Sequence, residues 1–199
     1  MGNKLNILII FALILGFCSC KKSTPETQSA IIDYTKVEIP VFNADSAYAY
    51  VKVQCDFGPR TPMSKASQLC GDYLINFMSQ FADTVYVQNF SSKLWDGTNV
   101  EGRNIIASFN PDASERVVLA AHWDSRSWAD EDENEENHKK AIDGANDGAS
   151  GVGVLMEIAR VFRQKPNTQG IDIVFFDLED QGTPDRKSTR LNSSHYSRS

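Results

Sequence analysis

Arg116-Val-Val-Leu-Ala-Ala121, then Ala149 to Phe162, then Ile171-Asp-Ile-Val-Phe-Phe176 are the segments whose reading decides the fold. The first and last are β-branched and apolar on both faces, as strands buried between layers must be. The middle segment turns Val152, Leu155, Met156, Ala159 and Val161 mostly inward, the pattern of an amphipathic helix. Strand, helix, strand in that order implies a right-handed parallel crossover, and with it an α/β sandwich.

Working outward, helix-start chemistry and an apolar face of Ala47, Tyr50 and Val51 predict a helix over Asn43–Gln54. Asp56-Phe-Gly-Pro-Arg-Thr-Pro62 is a loop, since two prolines and a glycine exclude regular structure. Ser64 to Phe81 reads as a helix with Leu69, Tyr73, Leu74, Phe77, Met78 and Phe81 on one stripe. Strands are expected over Thr84–Phe90, Asn104–Phe109 and Arg116–Ala121, and a polar loop runs on to Asp147.

The chain has 199 residues, 41% of them hydrophobic and 23% charged, which excludes disorder throughout and suits one domain. No apolar run reaches the ~20 residues of a spanning helix, so a multi-pass membrane protein is excluded. A net charge of −6 gives no basic footprint for nucleic acid. Residues 1–20 read as an export signal: Lys4, an apolar stretch Leu5–Phe17, then Gly16-Phe17-Cys18-Ser19-Cys20, which looks like a bacterial lipoprotein box with Cys20 as the acylated residue. A lipid there would anchor the protein to a membrane facing the periplasm or cell surface. Residues 21–42 form the tether and lead-in, and 43–184 the α/β domain. Residues 185–199 carry basic charge and no hydrophobic period, and resemble the in-frame translation of a sequencing adapter. The natural chain is therefore expected to leave this sequence near Pro184, with its C-terminal part missing and no role for His195. Cys55 and Cys70 flank the loop of an exported domain and are candidates for a disulfide, with two reduced buried thiols as the alternative.

Chemistry gathers at one structural address. His122-Trp-Asp124-Ser-Arg126 follows the first buried strand, Asp143-Gly-Ala-Asn-Asp147-Gly-Ala-Ser-Gly151 leads into the helix, and Asp177-Leu-Glu179-Asp180-Gln-Gly182 follows the second strand. Ligands of open α/β sheets collect at the carboxyl ends of strands. Carboxylates and a histidine converging there suit a hard or borderline cation such as Zn²⁺. Gly144, Gly148 and Gly151 let the loop aim Asp147 inward. In the pair Glu179-Asp180, one carboxylate can bind metal while its neighbour carries protons. The run Asp130-Glu-Asp-Glu-Asn-Glu-Glu136 reads as a solvated loop, with Ca²⁺ binding as the alternative, and His138 after it as exposed. Trp95, Trp123 and Trp128 are pocket walls or packing.

The ordered triple around His122, Asp147 and Glu179-Asp180 resembles metallopeptidase family 28, which holds zinc aminopeptidases and glutaminyl cyclases. Phe57-Gly-Pro-Arg60-Thr-Pro62 and Ser125-Arg126-Ser-Trp128-Ala-Asp130 look most like the bacterial glutaminyl cyclase branch. The resemblance runs from about Phe57 to Pro184. It implies a three-layer, zinc exopeptidase-like α/β sandwich with a mostly parallel central sheet. It also implies Asp147 and Asp180 as zinc ligands, Glu179 as general acid/base, and a third ligand, a histidine beyond this chain. Asp180 stands where many relatives carry Glu. One Zn²⁺ and cyclisation of N-terminal Gln on peptides is the leading reading. A di-zinc aminopeptidase, with His122 on the second ion and Asp124 orienting it, is the alternative, and an inactive binding homologue the third. This fragment itself is expected to be inactive.

Overall fold

The computed structural model describes residues 40–165 and 168–182. The expected export signal with Cys20, most of the expected tether, and residues 183–199 with the adapter-like stretch lie outside these. The described elements run α1 (Ala44–Asp56), α2 (Lys65–Met78), β1 (Thr84–Lys93), β2 (Asn99–Phe109), β3 (Arg116–His122), α3 (Ser150–Gln164) and β4 (Gly170–Phe176). Short turns at Glu135–Asn137 and Ala145–Ala149 interrupt the long loop between β3 and α3.

Local chemistry sets the helix starts. Asn43 caps α1, its side chain accepting from the Ser46 amide at 2.9 Å. Ser64 caps α2 in the same way, accepting from the Ser67 amide at 3.0 Å. Asn43→Ala is expected to cost about 1 kcal/mol, read as a lower urea midpoint. An unchanged midpoint would show the cap to be idle.

The strands form one sheet in the order β1-β2-β4-β3. β3 and β4 are parallel neighbours with α3 between them in sequence, as the crossover requires. The rest of the expectation is corrected: β1–β2 and β2–β4 are antiparallel, so the described sheet is mixed rather than mostly parallel. The cause is the hairpin. Leu94 donates to the Thr98 carbonyl at 2.9 Å across Trp95-Asp-Gly97, a tight turn that can only join antiparallel strands. It also extends β2 back to Asn99, five residues earlier than the apolar run at Asn104 indicates.

One hydrophobic core lies between the helices and one face of the sheet. Leu74 and Met78 of α2, Val152 and Met156 of α3, Ile105 of β2, and Ile173 and Phe175 of β4 are all fully buried there. Each such side chain contributes about 1.5–3 kcal/mol. Leu69, expected on the inward stripe, is 42% exposed; the buried face of α2 is instead centred on Cys70, Leu74 and Met78. Among the described residues helices cover only this face. Val118, which pairs with Asp172 on the other side, is 62% exposed.

The anticipated disulfide is absent. Cys55 and Cys70 are free thiols. Cys70 faces the core, and its burial pushes the thiol up to about 12, while the Cys55 Sγ lies 3.9 Å from the Asp143 carbonyl.

Candidate functional site

β3 and β4 run in register to His122 and Phe176, and the Trp123 amide donates to the Phe176 carbonyl at 2.9 Å. The two strands thus release His122-Trp-Asp124 and Asp177-Leu-Glu179-Asp180 side by side on one rim. The turn before α3 brings Asp147 to the same rim. Gly144 (φ 56°) and Gly148 (φ 93°) make the turn possible. A Cβ on Gly148 would stand 2.8 Å from the Asp124 carbonyl oxygen and 3.0 Å from the His122 ring. Gly148→Ala is therefore expected to lose roughly 1–3 kcal/mol through backbone strain and contact, read in thermal unfolding. A stability equal to the parent would mean the turn can re-form around a side chain.

His122 sits among carboxylates. Its Nε2 lies 2.9 Å from Asp147 Oδ1 and 3.8 Å from Glu179 Oε2, and its Nδ1 lies 3.3 Å from Asp124 Oδ1. Burial opposes the imidazolium, but hydrogen bonds to Asp124 and Asp147 and the charges of Asp124 and Glu179 outweigh it and raise the ring to about 10. Asp180 is shifted upward as well, toward its neutral form. Burial, followed by the charge of Asp147, raises its carboxyl to about 6 against the lowering pull of Arg126. Asp177 is likewise raised to about 6 by burial.

Asp124 is the fixed point. It is fully buried, and its carboxylate accepts from the Glu179 amide at 3.1 Å, the Asp180 amide at 3.0 Å and the Gln181 side-chain amide at 3.0 Å. One carboxylate thereby holds the turn that carries both acidic residues. Glu179 leaves this turn into solvent, its side chain 63% exposed.

Sequence reasoning missed two arginines in this role. Arg60, fully buried, donates to the carbonyls of Trp123 (3.1 Å), Asp143 (2.6 Å) and Gly144 (3.1 Å). Arg126 is held by Asp130 through two contacts of 2.6 Å. The only signal in the sequence was their place inside motifs flanking the site. Asp130 is accordingly not part of a solvated acidic run; that run begins after it. His138 bonds the Asp132 carbonyl at 2.8 Å and stays away from the site. Trp123 is fully buried packing, its indole donating to the Arg103 carbonyl. Trp95 and Trp128 meet edge-on at 6.0 Å beside Arg126.

Among the described residues no group of three or more His, Cys, Asp or Glu is arranged to hold a metal ion. The chemistry of the rim nevertheless fits one. Asp180 Oδ2 is buried with no hydrogen-bond partner among the described residues, a costly condition for a carboxylate oxygen unless a cation meets it. His122 stands among Asp147, Asp124 and Glu179, whose carboxylates favour the charged form of its ring. Asp147 and Asp180 are close enough for the charge of one to raise the other. The two carboxylates could offer two oxygen donors to an ion that needs more.

Residues 104–198 match the family described as Peptidase family M28. A Zn-dependent exopeptidase from Parabacteroides distasonis is 51% identical with a TM-score of 0.74, over 76% of this chain and 53% of that one. Glutaminyl cyclase from Tannerella forsythia is also 51% identical, with a TM-score of 0.73, over 75% of this chain and 53% of its own. The alkaline phosphatase isozyme conversion protein of Escherichia coli is 26% identical over 137 residues, 63% of this chain and 39% of that protein. The chain thus spans about half the length of these solved structures and less of the curated relative.

Proposed function

We propose that the protein is a zinc-dependent glutaminyl-peptide cyclotransferase, a reading supported by the match of residues 104–198 to peptidase family M28 and by the fold it shares with zinc exopeptidase and glutaminyl cyclase neighbours. Its substrates are peptides and proteins with N-terminal Gln, and its products are pyroglutamyl chains and ammonia. The observation that supports the choice over a two-zinc peptidase is the likeness to glutaminyl cyclases such as that of Tannerella forsythia, 51% identical over 75% of this chain, together with the segments Phe57-Gly-Pro-Arg60-Thr-Pro62 and Ser125-Arg126-Ser-Trp128-Ala-Asp130 that flank the rim. His122, with its ring nitrogens on Asp147 and Asp124, is read as a residue that positions Asp147 beside a single cation.

Asp147 and Asp180 would hold the zinc, with the third ligand outside the described residues. Zinc supplies Lewis-acid polarisation of the substrate's side-chain amide carbonyl. Glu179, exposed at the mouth of the site, takes a proton from the attacking α-amine. The α-nitrogen bonds to the amide carbon, the bond to the amide nitrogen breaks, and Glu179 returns its proton so that the nitrogen leaves as ammonia. No water is consumed. His122 and Asp124 hold Asp147 and the Glu179 turn in place. Export and a lipid on Cys20 belong to the same proposal and rest on the sequence of the signal alone.

The test is metal stoichiometry and product on the full polypeptide. One bound zinc with ammonia release from Gln-peptides is expected. Two zincs with release of free amino acids from unblocked peptides would overturn the reading in favour of an aminopeptidase.

A further inference from the structure

The segment after β3 grips the turn after β4 at several points, and one of them acts on Asp180 itself. Arg126 is only slightly exposed. Its Nε and Nη2 are taken by the two oxygens of Asp130, each at 2.6 Å. That fork fixes the guanidinium plane and leaves Nη1 as the arm that reaches across. Nη1 donates to the Asp180 carbonyl at 3.2 Å and lies 3.5 Å from Asp180 Oδ1. The other oxygen, Oδ2, is buried and has no hydrogen-bond partner among the described residues. The two carboxylate oxygens are thus made unequal by a neighbour whose own orientation is fixed.

From this geometry we propose that Arg126, held by Asp130, is a positioning residue that makes Asp180 a one-oxygen ligand: its Nη1 sits on the Oδ1 side of the carboxylate, at 3.5 Å, and leaves Oδ2 as the oxygen offered to the ion. The inference rests on the reading of Asp180 as a zinc ligand. A carboxylate left unanchored would turn about its Cβ–Cγ bond and lose ordered ligation. Because Asp130 neutralises Arg126, the pair adds little net charge at the ion, and its effect is one of orientation.

The test removes the pair without changing net charge. Zinc affinity of the full polypeptide is measured by competition with a chromogenic chelator, and the visible spectrum is recorded with cobalt in place of zinc. The double variant Arg126→Gln/Asp130→Asn is expected to bind zinc roughly 10–100-fold more weakly, the usual effect of losing a partner of a metal ligand, and to shift the cobalt bands. Asp130→Asn alone, which keeps Arg126 but releases its fork, should move both readouts in the same direction and serves if the double variant does not fold. Parent-like zinc affinity and cobalt bands, even with a lowered melting temperature, would reduce the pair to a loop staple and overturn the proposal. Asp180→Ala separates the two readings. If it also binds zinc like the parent, the ligand assignment fails. If it loses zinc while the double variant does not, only the positioning role fails.

Discussion

Glu179→Gln in the full polypeptide should reduce kcat by roughly 10²–10⁴-fold, the range that a positioned general acid/base contributes, while zinc binding stays near that of the parent. The geometry separates the two effects. Glu179 owes its position to its backbone amide, which donates to buried Asp124 and is untouched by the change. Its side chain is mostly exposed and is not needed to fill space. Gln keeps the shape and one oxygen but can neither take the proton from the α-amine nor return it to the leaving nitrogen. Rates of ammonia release together with zinc content check the result. Full activity in the variant would remove Glu179 from the mechanism. Loss of zinc along with activity would place Glu179 among the ligands instead.

The parts of the fold and site that local sequence could reveal are those whose cause is local. β3, α3 and β4 announce themselves through runs of apolar residues, and their parallel crossover follows from chain order. His122, Asp147 and Glu179 could be placed on one rim because each directly borders one of these elements. The mixed sheet could not be read in this way. Its antiparallel half depends on the β1–β2 hairpin, whose strand start at Asn99 is polar and pairs with Lys93 at the far end from the apolar run. The phase of α2 was lost for a related reason. Leu69 is as hydrophobic as Leu74, and only the packing of Cys70 against the sheet decides which side faces in. The arginines show the strongest limit. Arg60 lies in a Gly-Pro loop 83 residues before the Asp143 carbonyl it binds, a distance across which no periodicity carries information. Backbone carbonyls, its partners, have no identity in a sequence at all.

That same blindness makes Arg60→Met the most consequential structural prediction. The guanidinium is fully buried and its contacts at 3.1, 2.6 and 3.1 Å all go to carbonyls on two loops. Met retains much of the side-chain volume, so the cavity contribution is small, and the loss falls on the acceptors. Trp123 is fully buried, so water cannot simply take over at its carbonyl, whereas the Gly144 carbonyl keeps its bond from the Ala149 amide at 3.2 Å. With an orphaned buried acceptor costing about 1–3 kcal/mol and two further contacts weakened, the variant should lose roughly 2–4 kcal/mol, read from the urea midpoint and slope. Arg60→Lys should recover only part of this, because one ammonium cannot span carbonyls that a planar fork reaches together. The consequences run into the site. Gly144 opens the turn that aims Asp147, and Trp123 separates His122 from Asp124, so loosening both carbonyls frees the two sides of the rim at once. Zinc affinity should therefore fall with stability, even though Arg60 touches none of the proposed ligands. A loss below about 1 kcal/mol with zinc affinity intact would show that the loops hold their geometry without it, and that Asp124 alone fixes the rim.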